Sequence, residues 1–152
     1  MMSSISAIAK RYGFKKERHS WKKTSDFITI VLALQKSRYC NAFTFEIGIC
    51  FDKTKNHDTL KYYNCGITFR LNKIPTANSI EVDNALNLDL NHEGNSSPLI
   101  NFLERDGMSE IMKLFSLKHL QLLYQEGFFN DKMIDNISVG ILSRNNCSAG
   151  IM

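Results

Sequence analysis

FITIVLAL at residues 27–34, QKSRYCNA at 35–42 and FTFEIGICF at 43–51 form one stretch in which a polar connector separates two apolar runs. Within each run every second residue is large and apolar, which is the spacing of a half-buried strand. One antiparallel register brings these residues to the same face, by pairing Leu32 with Phe45, Ile30 with Ile47 and Ile28 with Ile49. The stretch therefore predicts a β-hairpin with one apolar face, which the rest of the chain must cover.

Length and composition indicate a single folded domain that spans residues 1–152. Apolar residues make up 43% of the chain and charged residues 22%, which excludes a disordered protein. The opening segment, MMSSISAIAKRYGF, has no apolar part of signal-peptide length, and no stretch approaches the ~20 apolar residues of a membrane helix. We therefore expect a cytoplasmic protein that makes no membrane contact.

The cysteines indicate reduced thiols. Cys40, Cys50, Cys65 and Cys147 include no C-x-x-C pair and no metal-ligand spacing. Strand alternation places Cys65 on the core face and Cys50 on the opposite face, so we expect no bond between these two. Unpaired cysteines are the rule in a reducing cytoplasm.

Positive charge is concentrated in the first part of the chain. Residues 1–40 contain nine Lys or Arg and two carboxylates, a net charge of +7, whereas residues 41–152 have a net charge of −3. The basic part could face nucleic acid or an acidic protein. We favour a solvated helix and an edge strand whose lysines discourage aggregation.

The first residues predict a helix and then a strand. Ser3 or Ser4 can cap a short helix, and Gly13 is placed to end it in the left-handed conformation. The inward residues of this helix are Ile5, Ile8, Ala9 and Tyr12. Residues 15–24 alternate weakly, with His19 and Trp21 on one side and Arg18, Ser20 and Lys22 on the other, and predict one strand that leads into a turn at residues 24–26.

After the hairpin and a polar loop at residues 52–58, the alternation returns over residues 61–71. Its core face would consist of Tyr63, Cys65, Ile67, Phe69 and Leu71. The strands together predict an antiparallel meander of about four to five strands with one apolar face. Ile80 with Val82, and then Leu86, Leu88 and Leu90, also alternate and predict short edge strands.

From Ser97 onwards the apolar spacing becomes helical. Ser97 can cap a first helix that ends at Gly107, Ser109 can start a second, and Ser116 can cap a third that stops at Gly127. Residues 133–141 fit a helix or a strand, and we favour the helix. The fold class is therefore α+β, with an N-terminal helix and C-terminal helices packed on one face of the sheet.

Several short segments follow one another in a recognisable order. They are GFKK at residues 13–16, Trp21 before a turn at Asp26, LQKSR at residues 34–38, Asn41 and Phe43 at the next strand, and Gly48 within it. A weaker likeness is Leu103-Glu104 followed by Gly107. In these features the chain resembles the bacterial family catalogued as domain of unknown function 4304 (DUF4304), closely over about the first seventy residues and loosely beyond.

The resemblance implies a cytoplasmic bacterial α+β domain with no established enzyme activity. By analogy with small domains that act beside toxins, it also suggests an immunity protein, and this argument rests on fold-level likeness alone.

The connector at residues 35–41 is the sharpest candidate site. Gln35, Lys36, Ser37, Arg38, Tyr39 and Asn41 cluster hydrogen-bond donors and two cations at a strand end. A planar guanidinium and a point-charge ammonium suit a phosphate or a carboxylate group. A hairpin connector that is polar only because it is exposed would contain the same residue types. We favour this alternative, because most polar connectors are simply exposed to solvent.

The outer face of the sheet, opposite the apolar face, is a second candidate. Glu46 and Arg70 would lie there with the polar residues Thr29, Gln35, Thr44, Tyr62, Asn64 and Thr68, while Gly48 and Gly66 leave room for close approach. If the helices cover only the apolar face, this polar face is open to a partner. A solvated face with an exposed Glu46–Arg70 pair is the favoured alternative.

Signals for catalysis, metals and cofactors are weak. Asp89 to Gly94 imitates half of a calcium loop, but Ile100 stands where the bidentate Glu should be, so we predict a turn. The histidines at positions 19, 57, 92 and 119 stand apart, and no spacing proposes a nucleophile with its base. We therefore expect no cofactor, no metal and no catalytic residue, and lean against an enzyme.

Three hypotheses follow for the function. The leading one is a non-enzymatic module that binds a protein partner through the connector and the outer face, with an immunity-type inhibitor as one form. The second is nucleic-acid binding, since Tyr12, Phe14, Trp21 and Tyr39 interleave with the basic residues of the first part of the chain. The third is an enzyme without a local motif.

Overall fold

A computed structural model describes residues 1–51, 60–74, 79–87 and 97–144. Its strands are β1 (Lys15–Glu17), β2 (Ser20–Ser25), β3 (Ile28–Lys36), β4 (Phe43–Cys50), β5 (Ile67–Arg70) and β6 (Met133–Ile134). Its helices are α1 (Met2–Arg11), α2 (Ser79–Leu86), α3 (Ser97–Phe102), α4 (Met108–Lys113), α5 (Leu117–Gln125) and α6 (Asn136–Ser143). The described strands form one antiparallel sheet in the order β1-β2-β3-β4-β5-β6. The predicted α+β meander is confirmed, with six strands instead of four to five.

The central hairpin forms, but its register differs from the predicted one by two residues. Leu32 lies opposite Ile47, Ile30 opposite Ile49 and Leu34 opposite Phe45. The strands extend to the Lys36–Phe43 pair, and the connector closes by a hydrogen bond from the Ser37 N–H to the Ala42 carbonyl at 2.8 Å. Because side chains alternate with a period of two, a shift of two residues leaves every apolar residue on its predicted face.

Residues 15–24 form two strands, where the sequence predicted one. The chain reverses at Arg18, which adopts φ +56°, so that Lys16 lies opposite Trp21. The alternation continues across this tight turn, and neither Arg nor His marks a turn in the sequence. The predicted turn near Asp26 is confirmed, with φ +55° at Asp26.

The predicted start of α1 is wrong, whereas its predicted end is confirmed. The helix begins at Met2 with Met1 at its N-cap, so neither Ser3 nor Ser4 caps it. Gly13 has φ +88° and its N–H donates to the Lys10 carbonyl, while the next N–H reaches the Ala9 carbonyl. This is the predicted left-handed helix ending, which glycine adopts without strain.

The strand predicted for residues 61–71 is shorter. A single 3-10 turn occupies Tyr62–Asn64, and β5 begins only at Ile67. The alternation therefore does not reach residues 63 and 65. Tyr63 is 66% exposed, and Cys65 packs on the outer face in the same apolar cluster as Cys50, so both were predicted on the wrong face.

The edge strands predicted after residue 76 are also wrong where the structure describes them. Ser79–Leu86 is the helix α2, because Val82, Ala85 and Leu86 are buried at helical spacing while Ile80 is exposed. Leu88 and Leu90 lie outside the described residues, as does the predicted loop at residues 52–58.

The C-terminal helices follow the prediction only in part. Gly107 does not end a helix and Ser109 does not start one, because the π-helical turn Leu103–Gly107 joins α3 to α4. A Cβ at Gly107 would lie 2.9 Å from Phe102 Cε2, so this glycine permits close packing. Ser116 caps α5 and Gly127 follows its end with φ +85°, as predicted. Residues 133–143 combine both readings, since β6 precedes the helix α6.

The sheet separates two apolar clusters of unequal size. On the inner face, residues of β2 to β5 and of all the described helices form one core. On the outer face, Val31 and Cys50 are buried with Leu60, Cys65 and the half-buried Tyr62. The 3-10 turn at Tyr62–Asn64 and the residues beside it therefore cover part of the outer face.

Candidate functional site

The outer face is not the open polar surface that the sequence suggested. A Cβ at Gly48 would lie 2.8 Å from both Cys65 Sγ and the Tyr62 carbonyl oxygen. The space above this glycine is thus filled by the chain itself, and the second apolar cluster occupies the middle of the face. At the end of the sheet where β3 leads into the connector, Gln35 and Lys36 are exposed.

Ser37 holds the connector in its shape. Its Oγ accepts hydrogen bonds from the N–H groups of Tyr39, at 3.2 Å, and Cys40, at 3.4 Å. This is the local side-chain to backbone pattern by which Ser stabilises turns. Lys36 Nζ donates to Asn41 Oδ1 at 3.0 Å, across the base of the turn. The predicted site residue Ser37 is therefore a structural residue of the loop.

The same turn directs Arg38 and Tyr39 outwards. Tyr39 is 97% exposed, and Arg38 is exposed and forms no ion pair within the described part of the chain. Gln35 is also exposed, at the last outward position of β3. Exposed tyrosine and arginine side chains on a closed turn are pre-ordered for contact with another molecule.

Glu46 and Arg70 contact each other. They lie opposite one another on β4 and β5, and Arg70 Nε donates to Glu46 Oε1 at 3.2 Å. The Glu46 side chain is 12% exposed and that of Arg70 58%. Burial is the main reason why the pKa of the neighbouring Tyr62 is raised, and the Glu46 carboxylate adds to this effect. The predicted pair is therefore part of the sheet surface, with its charges largely balanced.

A cleft that the sequence did not reveal lies beside the connector. It has a volume of about 160 Å³ and runs between the β1–β2 turn and the 3-10 turn. We call it the tyrosine cleft, and the described polar residues that line it are Glu17, Arg18, His19, Ser20, Gln35, Lys61, Tyr62 and Tyr63. The His19 carbonyl accepts a hydrogen bond from the Leu34 N–H at 3.0 Å, which holds the β1–β2 turn next to the start of the connector.

The charge of the tyrosine cleft is positive. Among the described residues that line it, Glu17 is the one carboxylate, and it forms an ion pair with Lys22 at 2.6 Å. The hydrogen bond from Lys22 is the main reason why the pKa of Glu17 is lowered, and the charges of Lys22, Lys61 and Arg18 act in the same direction. Since Glu17 is balanced by Lys22, Arg18 and Lys61 leave the cleft with a positive potential.

The cleft and the connector form one surface at one end of the sheet. Gln35 belongs to both, because it lines the cleft and starts the connector. We name this surface the basic end and define it by Arg18, Gln35, Lys36, Arg38, Tyr39, Lys61 and Tyr63. The sequence predicted its connector half. It missed Arg18, Lys61 and Tyr63, for which the only signal was that they are polar or aromatic residues next to turns.

The aromatic residues named for nucleic-acid binding are mostly in the core. Trp21 is buried, stacks on Phe45 with ring centroids 6.4 Å apart, and donates its indole N–H to Ser6 Oγ at 3.0 Å. Phe14 is buried as well and packs against Phe115. Tyr39 alone of the four is fully exposed, so these rings do not form a stacking platform for bases.

Within residues 1–51, 60–74, 79–87 and 97–144, no three His, Cys, Asp or Glu side chains lie together as a metal site. The calcium-like segment at residues 89–94 lies outside these ranges. No helix in the described part of the chain is both long and apolar enough to cross a bilayer.

Comparison with known proteins gives one match. A family model described as Domain of unknown function (DUF4304) matches residues 5–109. No curated protein and no solved structure matches the chain. All residues of the basic end lie inside the matched range, whereas α5, β6 and α6 follow it.

Proposed function

We propose that this chain, which belongs to the DUF4304 family, is a non-enzymatic module that binds an acidic surface of a protein partner at its basic end. The observation that carries the proposal is that exposed tyrosines and cations lie together at that end. Tyr39 and Tyr63 are exposed there, beside the exposed Arg18 and Arg38 and the half-buried Lys61.

The residue types at the basic end are those that contribute most to protein–protein affinity. Tyrosine and arginine are enriched among the residues that dominate binding, because each buries a large area and also forms hydrogen bonds. A positive surface also speeds the encounter with an acidic partner and discriminates against basic ones. A partner with carboxylates around a shallow apolar recess would therefore fit here.

The rigidity of this end supports the same proposal. The β1–β2 turn is bonded to β3, Ser37 closes the connector, and the 3-10 turn packs onto Gly48. These residues therefore lose most of their conformational freedom during folding and not on binding, which leaves more of the contact energy for affinity. An immunity-type inhibitor is one form of this module, since blocking a toxin requires only a rigid surface of opposite charge.

A bacterial and cytoplasmic setting belongs to the proposal. No disulfide joins the described cysteines, Cys40, Cys50 and Cys65. Reduced thiols suit a reducing compartment.

The test is an affinity capture from the source cell's lysate, with and without nuclease, followed by cross-linking of the captured complex. The bait variants are Lys36→Ala/Arg38→Ala and Tyr39→Ala. The matched control is Lys10→Ala/Lys118→Ala, which removes the same charge from exposed positions on α1 and α5. We expect a protein that resists nuclease, cross-links to the connector, and is captured by wild type and the control but not by the two bait variants.

Three outcomes would contradict the proposal. If all baits capture the protein equally, the basic end is not part of the interface. Capture of nucleic acid alone, which weakens steeply with salt, would favour the nucleic-acid alternative. Turnover of a substrate that Gln35→Ala or Arg38→Ala abolishes in a folded protein would favour an enzyme.

A further inference from the structure

The turn that joins β1 to β2 contains an arginine in a backbone conformation that arginine rarely adopts. Arg18 has φ +56°, in the left-handed region, which glycine adopts freely and most other residues adopt only with strain. The β2–β3 turn offers a direct comparison, because Asp26 there has φ +55°. Aspartate tolerates this region and is common in turns. The β1–β2 turn, by contrast, has a residue type that its backbone does not favour.

No salt bridge within the described part of the chain offsets this strain. The Arg18 side chain is exposed and pairs with no described carboxylate at salt-bridge distance. Two other hydrogen bonds hold the turn. Ser20 Oγ donates to the Glu17 carbonyl at 3.0 Å, and the Leu34 N–H donates to the His19 carbonyl at 3.0 Å. Strained residues of this kind cluster at ligand-binding positions, where the side chain is needed despite its cost to stability.

Arg18 lines the tyrosine cleft, which lies on the outer face of the sheet. The strand register places Ser20 opposite both Glu17 and Ala33 on this face. The 3-10 turn that follows Lys61 covers the same face from the other side of the cleft. The charges of Lys61 and Arg18 both help to lower the pKa of Glu17, after the larger effect of the hydrogen bond from its ion-pair partner. Two cations from distant parts of the chain therefore lie near the same point.

Charge and volume together indicate which group would occupy the tyrosine cleft. Among the described residues that line it, Arg18 and Lys61 are cations, and the one carboxylate, Glu17, already pairs with Lys22. A negatively charged group is therefore favoured. The cleft volume of about 160 Å³ is below the range of about 300–1,000 Å³ of small-molecule sites, but it is several times the roughly 30 Å³ share of one water molecule. The cleft thus has the size for a single side chain.

We propose that the tyrosine cleft receives the carboxylate of a glutamate or aspartate from an acidic segment of the partner, and that Arg18 is the specificity-determining residue that binds it. This inference rests on the proposed function and names the part of the partner that the basic end recognises. A planar guanidinium can donate two parallel hydrogen bonds to a carboxylate, and the Lys61 ammonium can add another. Ala33 and Tyr63 also line the cleft and can contact the methylene groups of that side chain.

The probe is a capped peptide, acetyl-glycyl-glutamyl-glycinamide, and its glutaminyl analogue is the uncharged control. Each peptide is titrated into the isotopically labelled full chain, and the backbone amide shifts are recorded by NMR at low and high salt. We expect saturable shifts at residues 17–20, 33–35 and 61–63 with the glutamyl peptide and not with the glutaminyl peptide. The affinity should fall as salt rises, because the site is at the surface.

The decisive variant is Arg18→Asn, because it should change binding and stability in opposite directions. Loss of the charge-assisted hydrogen bonds should lower the affinity for the glutamyl peptide by about tenfold. Asparagine visits the left-handed region routinely, so the urea midpoint should rise by roughly 0.3–0.5 M. Arg18→Lys keeps the charge and the strain, and should keep the wild-type midpoint while it loses about threefold in affinity. Lys36→Ala/Arg38→Ala should bind the peptide within about twofold of wild type, because neither residue lines the cleft.

The proposal is overturned if the glutaminyl peptide binds as tightly as the glutamyl peptide, if Arg18→Asn binds the glutamyl peptide like wild type, or if Arg18→Asn does not raise the urea midpoint. Its failure is distinct from failure of the proposed function, whose capture test uses variants of the connector. Equal capture of a protein by wild type and Arg18→Asn would exclude the carboxylate site and leave the proposed function. Binding of the glutamyl peptide without capture of any protein would support the site and contradict the proposed function.

Discussion

Replacement of Gly66 by Ala should weaken the joint between β5 and α6. A Cβ at Gly66 would clash with Ser138 Oγ and lie 2.9 Å from each carboxylate oxygen of Asp135. Asp135 is the N-cap of α6, where its carboxylate accepts the Ser138 N–H at 2.8 Å. Its own N–H donates to the Gly66 carbonyl at 2.8 Å. A methyl group here therefore displaces both the cap and the strand contact.

The magnitude can be estimated from two contributions. Overpacking of a filled site costs about 1–3 kcal/mol, and loss of an N-cap hydrogen bond costs about 0.5–2 kcal/mol. The two share the same atoms and are not additive, so we expect about 2–4 kcal/mol for Gly66→Ala. For a domain of this size, that lowers Tm by roughly 4–16 °C.

The assay is urea unfolding followed by tryptophan fluorescence. The chain has 1 Trp, and Trp21 is buried in the main core, so its signal reports global unfolding. The matched control is Gly140→Ala in α6, where a Cβ would meet nothing within 4 Å. This change should raise the free energy of unfolding by up to about 1 kcal/mol, the difference in helix propensity.

A double-mutant cycle separates the clash from other effects. Ser138→Ala removes the clashing hydroxyl oxygen, so Gly66→Ala should cost about 1 kcal/mol less in that background. The reasoning is refuted if Gly66→Ala unfolds within about 0.5 kcal/mol of wild type. It is also refuted if the cost is the same with Ser138 and with Ala at that position, because the packing of α6 against β5 would then not be as described.

Three further predictions concern a cap, an ion pair and the connector. Ser116→Ala should cost about 1 kcal/mol, because the serine Oγ accepts the His119 N–H as the N-cap of α5. Chemical denaturation measures it. Glu17 has a lowered pKa because of Lys22, so its stabilising contribution is complete above the ordinary pKa of 4.5 and is lost as pH falls through the lowered value in the folded protein. Lys22→Gln should flatten the stability profile below pH 4.5. Tyr39→Ala should abolish partner capture yet change stability by less than about 0.5 kcal/mol, since the side chain is 97% exposed.

Each of these has its own control. Ser116→Thr keeps an oxygen at the cap and should retain most of the stability, and a loss as large as that of Ala would argue against capping. An acid profile of Lys22→Gln identical to that of wild type would remove the Glu17 pair as a contributor. If Tyr39→Ala lowers the unfolding midpoint, the tyrosine has a structural role that its exposure does not suggest.

The faces of the central strands could be read from the sequence because alternation is a local property. Leu32, Phe45 and Ile47 lie on the core face in both the predicted and the observed register, because the two differ by two residues. The endings at Gly13 and Gly127 were predictable for the same reason, since a left-handed residue after a helix needs only its neighbours along the chain. The N-cap at Ser116 is a further local signal.

The errors arose where contacts between distant residues decided the outcome. Residues 61–66 alternate like a strand, but packing onto Gly48 turns them into a 3-10 turn that covers the outer face. Gly107 resembles a helix stop, yet contact with Phe102 keeps it within a continuous helical segment. Residues 79–86 alternate in part, and burial of Val82, Ala85 and Leu86 in the core selects the helix.

The candidate sites also combine features that the sequence determines with features that only the tertiary structure determines. The sequence by itself determined that residues 35–41 are a polar connector and that positive charge gathers in residues 1–40. Only the tertiary structure decided that Arg18 and Lys61 line one cleft, and that Trp21 and Phe14 are enclosed in the core. Alternation and capping depend on the dihedral angles of adjacent residues, whereas a cleft exists only once segments far apart in the chain have packed against one another.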